Sequence, residues 1–372
     1  MLHIADMTMF YAPASGGVRT YLDAKHQRLK QRVGIRHSLI VPGDKWQATD
    51  HLYRVPSMAL PWSNGHRFPL RTAPWRQLLE HLEPDIIEVG DPYMPAWAAL
   101  AAGRSLDVPV VGFYHSDLPL LAMRRLGAWA GRVAAQYVQH LYQQFDLVLT
   151  PSESMADRLY DLGVRRVRVQ PLGVDLQRFN AQLRDESLRF EVGCRPSDCL
   201  LVFAGRGSRE KNIPLLIEAV NDLGAGYRLL LIGSDMPTDV PSNVHVINRF
   251  CSAEEVARYL ASSDVLVHAG MQETFGLVAL EGMASGLPAV VCKAGALPEL
   301  VPAHCGEWYL PNDPYSLAEA VRRVQNRGTR HVGQQARQHM EHRYCWDNVV
   351  DDLLMHYHGL KIILPTSVVI HG

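Results

Sequence analysis

Short apolar runs rich in β-branched residues alternate along the chain with longer stretches of helical periodicity. Such runs, bounded by turn residues, predict strands that are buried on both faces of a parallel sheet. The predicted strands are Leu2–Ala5, His37–Val41, Ile86–Val89, Val108–Tyr114, Leu147–Thr150, Val167–Gln170, Leu200–Ala204, Arg228–Ile232, Val244–Ile247, Val265–His268 and Ala289–Cys292. The predicted helices are Thr20–Gln31, Arg76–Leu82, Met123–Gln144, Ser154–Leu162, Pro214–Leu223, Ala253–Ala261, Gly276–Ala284 and Trp346–His358. The alternation predicts an α/β fold with two doubly wound domains rather than one closed barrel.

The chain of 372 residues is long enough for two domains of ordinary size, each with its own core. The two series of strands separate near the segment 172–175. We therefore expect a first domain over residues 1–172, a linker over 173–195, a second domain over 196–345, and a final helix and tail over 346–372.

Composition narrows the function classes. A formal net charge of -1 gives no whole-chain electrostatic reason to expect nucleic acid as a partner. The six cysteines form no C-x-x-C pair, which favours free thiols in a reducing compartment over a zinc site. The first residues lack the pattern of a signal peptide, and no apolar run is long enough to span a bilayer. We expect a cytoplasmic protein.

The loops that follow the strands carry the candidate chemistry, because ligands of open parallel sheets bind at the carboxyl ends of the strands. The first such loop contains Gly16 and Gly17 just before the first helix. Adjacent glycines and free helix amides suit a phosphate, although a plain turn explains them equally. The loop is not G-x-G-x-x-G, which argues against a nicotinamide dehydrogenase.

A histidine and two cations occupy the next two loops. His115 follows the strand Val108–Tyr114, where it could donate a hydrogen bond or stabilise developing charge, unless Asp117 or a backbone carbonyl satisfies it locally. Arg206 and Lys211 follow the first strand of the second domain. Together they suit a diphosphate leaving group, and a solvated basic loop is the alternative.

The most informative loop contains Glu273. The amides of Phe275, Gly276 and Leu277 lie beside it at a predicted helix start and could hold a phosphate, while Glu273 accepts from sugar hydroxyls. A glutamate at a helix start is also stabilising by itself, by about 0.3–1 kcal/mol. Glu281 has no such structural reason, because it places a charge within an apolar run, and it suits a ribose.

Two further groups are weaker candidates. Arg249 and Phe250 follow the strand Val244–Ile247, where both could stack on a nucleotide base. Basic residues on first-domain helices suit an anionic membrane surface, and ordinary solvated faces are the alternative. They are Arg19, Lys25, Arg28, Lys30, Arg32 and Arg36, and then Arg124, Arg125 and Arg132 near Leu126 and Trp129.

In this order and spacing, the loops resemble the retaining nucleotide-sugar glycosyltransferases of family four, the "group 1" family with the GT-B architecture. The most specific part is the pair Glu273 and Glu281, which have seven residues between them. The sequence Met-Ala-Ser-Gly-Leu-Pro follows at 283–288. The pattern runs from the glycine loop at 15–17 to Gly-Ala-Leu-Pro-Glu-Leu at 295–300, nearly the whole chain. Ala269-Gly270 and Gly295-Ala296 depart from the usual family residues, which leaves the donor undefined.

The resemblance implies two Rossmann-like domains that face each other across a cleft, with the final helix crossing back to the first. It implies a donor bound by the second domain, a lipid or glycan acceptor bound by the first, and transfer of a mannose- or glucose-type hexose without cofactor or metal. Catalytic roles fall on His115, Glu273, Arg206 and Lys211, and Gly17 would contact the diphosphate. The segment Tyr-His-Ser-Asp-Leu-Pro at 114–119 is most similar to the corresponding segment of glycolipid α-mannosyl and sulfoquinovosyl transferases.

Two other classes stay open from the sequence. One is a different enzyme on the same architecture, such as a nucleotide-sugar 2-epimerase or a glycan phosphorylase. The other is a catalytically idle protein that binds nucleotide sugars, against which the intact His115, Arg206, Lys211, Glu273 and Glu281 argue.

Overall fold

The computed structural model describes residues 1–12, 17–59 and 65–363, with side chains up to residue 360. It divides into two compact units. The first contains Met1–Pro171 and the residues from Val349 onward, and the second contains Leu172–Asn348. Residues 173–195, predicted as a linker, belong to the second unit and include a short helix and a 3-10 turn.

The first unit is built on an eight-stranded sheet. Its strands are β1 (Leu2–Met7), β2 (Ile35–Gly43), β3 (Gln47–Ala48), β4 (Leu52–Pro56), β7 (Ile86–Val89), β8 (Val110–Phe113), β9 (Leu147–Thr150) and β10 (Val167–Val169), with β5 (Met58–Ala59) and β6 (Arg67–Phe68) forming a separate hairpin. The helices are α1 (Gly17–Leu29), α2 (Ala73–Leu82), α3 (Met94–Leu106), α4 (Leu118–Leu126), α5 (Ala128–Tyr142) and α6 (Glu153–Asp161). The order β10-β9-β8-β7-β1-β2-β4-β3 is parallel up to β4, and β3 pairs with β4 in the antiparallel sense.

The second unit is built on a six-stranded parallel sheet. Its strands are β11 (Cys199–Ala204), β12 (Tyr227–Ile232), β13 (Val244–Ile247), β14 (Val265–His268), β15 (Ala289–Cys292) and β16 (Gly306–Tyr309). Its helices are α7 (Glu186–Glu191), α8 (Ile213–Leu223), α9 (Ala253–Ala261), α10 (Leu277–Ala284), α11 (Leu297–Leu300), α12 (Pro314–Asn326) and α13 (Thr329–Arg343). The order β13-β12-β11-β14-β15-β16 places β11 and β14 side by side at the centre, so the loops after these two strands leave the same edge.

The predicted strands agree with the structure where the strand is buried on both faces of the sheet. β11 and β14 are buried along their whole length, and their apolar runs carry no polar alternation. The helix prediction Met123–Gln144 is wrong, because the chain breaks at Gly127, whose φ of 92° ends α4 before α5 begins. The sequence also missed α3, an alanine-rich segment with little polar periodicity to mark it.

The last helix, α14 (Trp346–Ile363), begins in the second unit and belongs to the first unit from Val349. This is the crossover that the resemblance implied. The tail beyond residue 363 lies outside the described residues. Within the described part of the chain, no helix has the length and apolar composition needed to cross a bilayer.

A buried ion-pair network corrects one prediction. Lys25, expected on a basic surface, is 0% exposed, and its Nζ lies 2.8 Å from Asp6 Oδ1, from Glu88 Oε1 and from the hydroxyl of Tyr357. Tyr357 also donates to Glu88 Oε2. The network therefore links α1, two central strands and α14 within the first unit, and Lys25 is unavailable to any membrane or ligand.

Candidate active site

The candidate donor site lies at the carboxyl edge of the second unit's sheet. The loops after β11, β14 and β15 supply Lys211, Glu273 and Gly295. Lys211 ends a 3-10 turn that follows β11, and Glu273 lies in the loop between β14 and α10. Because β11 and β14 are neighbours in the sheet, residues 62 positions apart in sequence come into contact.

Lys211 and Glu273 form an ion pair in which Lys211 Nζ contacts Glu273 Oε1, and their side chains are 22% and 18% exposed. His268, the last residue of β14, is fully buried with Nε2 3.4 Å from the same carboxylate oxygen. The amide of Gly270 donates to His268 Nδ1 over 3.1 Å. A neutral His268 therefore carries its proton on Nε2, the nitrogen that faces Glu273.

These neighbours fix the charge of Glu273. Burial would raise the pKa of this carboxyl, but His268 and the Lys211 ammonium outweigh burial and hold the pKa well below the usual range for a glutamate. Glu273 is thus ionised at neutral pH and acts as a hydrogen-bond acceptor only. The sequence missed His268 because a histidine that ends a buried strand looks like an ordinary core position.

Two glycines hold the Glu273 loop in place. Gly295 has a φ of 59°, and a Cβ there would lie 2.8 Å from the carbonyl oxygen of Glu273. Gly276 has a φ of 102° and immediately precedes α10, with no side-chain cap among the described residues. The N-cap residue therefore offers no side chain to the first amides of α10, which lie beside the Glu273 loop, where an anion could bind. Phe275 is buried next to them, and Leu277 is the first residue of the helix.

Glu281 lies one turn into α10, about 6 Å along the axis from Leu277 at 1.5 Å per residue. Burial raises the pKa of its carboxyl to about 7, and the charge of Arg178 opposes that shift. Within the described residues, no hydrogen bond engages this carboxylate. A half-buried acceptor without a partner suits a hydroxyl ligand such as the predicted ribose.

The remaining predicted donor residues of this unit are more exposed. Arg206 has its Nε 4.0 Å from Asp235 Oδ2, a weak surface pair. Arg249 donates to Glu255 Oε1 over 2.6 Å, so its guanidinium is engaged at the start of α9. The Phe250 ring is 81% exposed and is free to stack.

The predicted His115 lies in the first unit. The ring stacks on Phe113 at 3.9 Å and meets the edge of Tyr21 at 5.5 Å. Burial, with the nearby charge of Lys25, lowers the pKa of His115 to about 3, so the ring is neutral. Asp117 does not hold His115, because it caps α4 through the amide of Leu120 and pairs with Arg158. Gly17 is the first residue of α1, and Gly16 lies outside the described residues.

Comparison with known proteins decides the family. Residues 15–178 match the model described as "Glycosyltransferase Family 4", and residues 198–327 match "Glycosyl transferases group 1". A GDP-mannose-dependent alpha-(1-6)-phosphatidylinositol dimannoside mannosyltransferase of Mycobacterium tuberculosis is 30% identical over 95% of each chain. The chain belongs to this glycosyltransferase family. A sulfoquinovosyl transferase of Arabidopsis thaliana is 29% identical over 78% of this chain and 60% of its own.

Solved structures of glycosyltransferases share the fold. Sucrose-phosphate synthase from Thermosynechococcus elongatus matches with a TM-score of 0.79 and 18% identity over 98% of this chain and 100% of its own. The Anabaena protein HepE in complex with UDP-glucose matches with a TM-score of 0.75 and 18% identity over 96% of this chain and 100% of its own. The predicted GT-B fold class is confirmed.

The family also confirms the predicted class of function, a nucleotide-sugar glycosyltransferase. The epimerase and the idle binding protein are not favoured, because the relatives are named as transferases. The roles of individual site residues stay predictions.

Proposed function

We propose that this glycosyltransferase moves a mannose-type hexose from a nucleoside diphosphate sugar to a hydroxyl of a glycolipid, with retention of the anomeric configuration. The observation that carries the proposal is the Lys211–Glu273 pair beside the uncapped start of α10. A cation, a carboxylate and the first amides of α10 lie at one edge of the sheet, and they are complementary to the phosphates and hydroxyls of a sugar diphosphate. The choice of mannose and glycolipid rests on the names of the relatives.

In the structure the cation is bound to Glu273, so the incoming diphosphate competes for it. We propose that Lys211 turns to the diphosphate when the donor binds, while Glu273 accepts from hydroxyls of the hexose. The amides of α10 and the exposed Arg206 share the negative charge that grows on the leaving group. His115, neutral at working pH, donates a hydrogen bond to the transferred sugar.

The bond changes follow a front-face route. The C1–O bond to the diphosphate breaks while the acceptor oxygen attacks C1 from the same side, and the acceptor proton passes to the departing diphosphate. Side-chain cations and amides take the place of a metal in this proposal. Excess chelator in a short assay then leaves transfer unchanged, and a loss that Mg²⁺ restores would contradict this part.

The first experiment is a donor panel of UDP-, GDP- and ADP-sugars with a phosphoinositide-type glycolipid acceptor. We expect release of nucleoside diphosphate that depends on the acceptor, and an α-linked product by NMR. Lys211→Ala should reduce turnover at least about 100-fold, in the range found when one donor that stabilises developing negative charge is removed. Glu273→Gln should also reduce turnover, because the amide no longer offers two acceptor oxygens to the hexose hydroxyls. Near-wild-type turnover in both variants overturns the site assignment.

A matched control is Glu186→Gln. Glu186 pairs with Arg184 at 2.7 Å on the surface of the same unit and should leave turnover unchanged. Circular dichroism of all three variants distinguishes loss of function from loss of folding.

We further propose that α4 and α5 rest on an anionic membrane. The exposed apolar side chains of this helical hairpin include Leu126 at 64% and Trp129 at 63%, and none of the residues of α4 is buried. Residues 118–142 contain three arginines and no aspartate or glutamate. Exposed apolar residues flanked by arginines suit insertion beside anionic headgroups. By contrast, the basic segment 19–36, which contains most of α1, has Lys25 buried in the core and Arg32 paired with Asp351 at 2.7 Å.

Vesicle flotation tests this surface. Wild-type protein should bind vesicles that contain phosphatidylglycerol and not vesicles of pure phosphatidylcholine. Leu126→Ser with Trp129→Ser should abolish binding, whereas Lys30→Gln, at an exposed position just after α1, should not. Unchanged binding by the double variant, or none by the wild type at low salt, contradicts the proposal.

A further inference from the structure

Three side chains of metal-ligating type meet on the second unit, away from the Glu273 loop in sequence. His304 and Cys305 lie in the turn before β16, and His339 lies on α13. Their ligand atoms all lie within 4.8 Å of one another. Among the histidine, cysteine, aspartate and glutamate side chains of the described residues, this is the one group of three or more ligand atoms with that spacing. No role in sugar transfer accounts for it.

The local packing brings the three side chains together. The rings of His304 and His339 meet edge to face at 5.4 Å. The thiol of Cys305 is buried and points to the carbonyl of Gln335 over 3.8 Å. Gln335 precedes His339 by one helical turn, so the thiol lies against the same face of α13 as the imidazole. Cys305 is a free cysteine.

Two imidazoles and one thiol form a donor set with a definite preference. Zinc binds such nitrogen and sulfur ligands in a tetrahedron, at about 2.0–2.3 Å. Soft and borderline ligands of this kind discriminate against Mg²⁺ and Ca²⁺, which require oxygen. We propose that His304, Cys305 and His339 bind one zinc-class transition metal ion, with water as the fourth ligand.

The geometry needs only a small closure. Ligand atoms around a tetrahedral zinc ion lie about 3.3–3.8 Å apart at those bond lengths. A separation of up to 4.8 Å therefore requires movement of about 1 Å, which the exposed His304 side chain can supply by rotation. On binding, the Cys305 thiol loses its proton to solvent and Sγ bonds to the metal, while each imidazole donates a nitrogen lone pair.

The surrounding charge sets the expected affinity. The guanidinium of Arg343 acts electrostatically on His339 and opposes a dication. The thiolate that forms on binding offsets that charge. We therefore expect an affinity below that of closed four-ligand zinc sites, and an ion that joins the turn before β16 to α13 rather than one that acts in transfer.

The test uses the full, tag-free chain with Zn²⁺ and Co²⁺ as probes. We expect one zinc per chain by elemental analysis after dialysis, and a cobalt spectrum with a thiolate-to-metal charge-transfer band. Zinc should also protect Cys305 from alkylation, as read by peptide mass spectrometry.

His339→Ala and the surface variant His304→Ala should each weaken zinc binding at least about tenfold and remove the cobalt band. His331→Ala, an exposed histidine on the same helix, is the matched control and should bind zinc as the wild type does. The proposal is overturned if the wild type retains no stoichiometric zinc, or if its affinity and cobalt spectrum survive in both variants.

Discussion

Replacement of Lys25 by methionine tests the energetics of the first unit. The substitution keeps the length and apolar stem of the side chain but removes its cation. It leaves Asp6 and Glu88, which are 2% and 3% exposed, without the ammonium group that contacts both at 2.8 Å. The remaining contacts are His37 at 2.9 Å from Asp6, and the hydroxyls of Tyr357 and Tyr21 on Glu88.

The expected loss of stability is large. Removal of one partner from a fully buried ion pair destabilises by about 3–5 kcal/mol, because the other charge stays buried. A domain of this size has about 5–15 kcal/mol of stability in total, so the first unit should lose about a fifth of it or more. Lys30→Met, at an exposed position on the following turn, is the control and should change stability by no more than about 0.5 kcal/mol.

The loss should also depend on pH in a defined sense. In the wild type, burial opposes ionisation of Asp6, but the charges of Lys25 and His37 lower its pKa from 3.8 to about 2. That stabilisation is present above the unfolded pKa and is lost as pH falls through the folded pKa. In Lys25→Met the unpaired buried carboxyls have raised pKa values, so they stabilise at low pH and destabilise as pH rises. The difference between the two proteins should therefore shrink from about pH 7 toward pH 4.

Hydrogen–deuterium exchange is the appropriate measurement because it reports each unit separately. Protection of β1 and α14 should fall in Lys25→Met, whereas protection of β11 in the second unit should stay as in the wild type. Equal protection of β1 in Lys25→Met and Lys30→Met, or a difference that does not change with pH, would refute the reasoning.

Three further predictions concern the donor site. Gly295→Ala should lower both the melting temperature and donor affinity, because its Cβ would lie 2.8 Å from the Glu273 carbonyl. Gly224→Ala is the control, because Gly224 has a φ of 79° and a Cβ there would have nothing within 4 Å. It should lose only the stability that backbone strain costs, about 1–2 kcal/mol, and an equal loss of donor affinity in the two variants would contradict the prediction. Glu281 has a pKa raised to about 7 by burial, so affinity for the nucleoside diphosphate by calorimetry should rise about tenfold as this group ionises, and Glu281→Gln should abolish that dependence. Phe250→Ser should raise the KM for donor without a change in melting temperature, whereas Phe190→Ser, 62% exposed elsewhere in the unit, should leave KM unchanged.

The parts of the fold that sequence predicts well are those specified by local pattern. The strand β14 and the helix α9 have the bounds that were predicted, because one is a short β-branched apolar run and the other starts with a capping box at Ser252. Helix α3 is not predicted from the sequence, because its alanines and its proline near the start give no alternation of polar and apolar faces. Local pattern likewise located the loops that hold Lys211 and Glu273.

The local sequence pattern does not predict which charged side chains form ion pairs, because the partners are distant in sequence. Lys25 has the spacing of a surface base on α1, yet its partners Asp6, Glu88 and Tyr357 are 19, 63 and 332 positions away. The loop of Lys211 alone predicts a phosphate ligand, whereas in the structure Lys211 pairs with Glu273, 62 positions away. In both cases the residue type is informative, and the partners lie on elements that are distant in sequence and that the tertiary fold brings together. Lys211 is thus already paired in this structure. If it binds the diphosphate as we propose, donor affinity will measure the exchange of one carboxylate for a diphosphate rather than the full strength of the new contact.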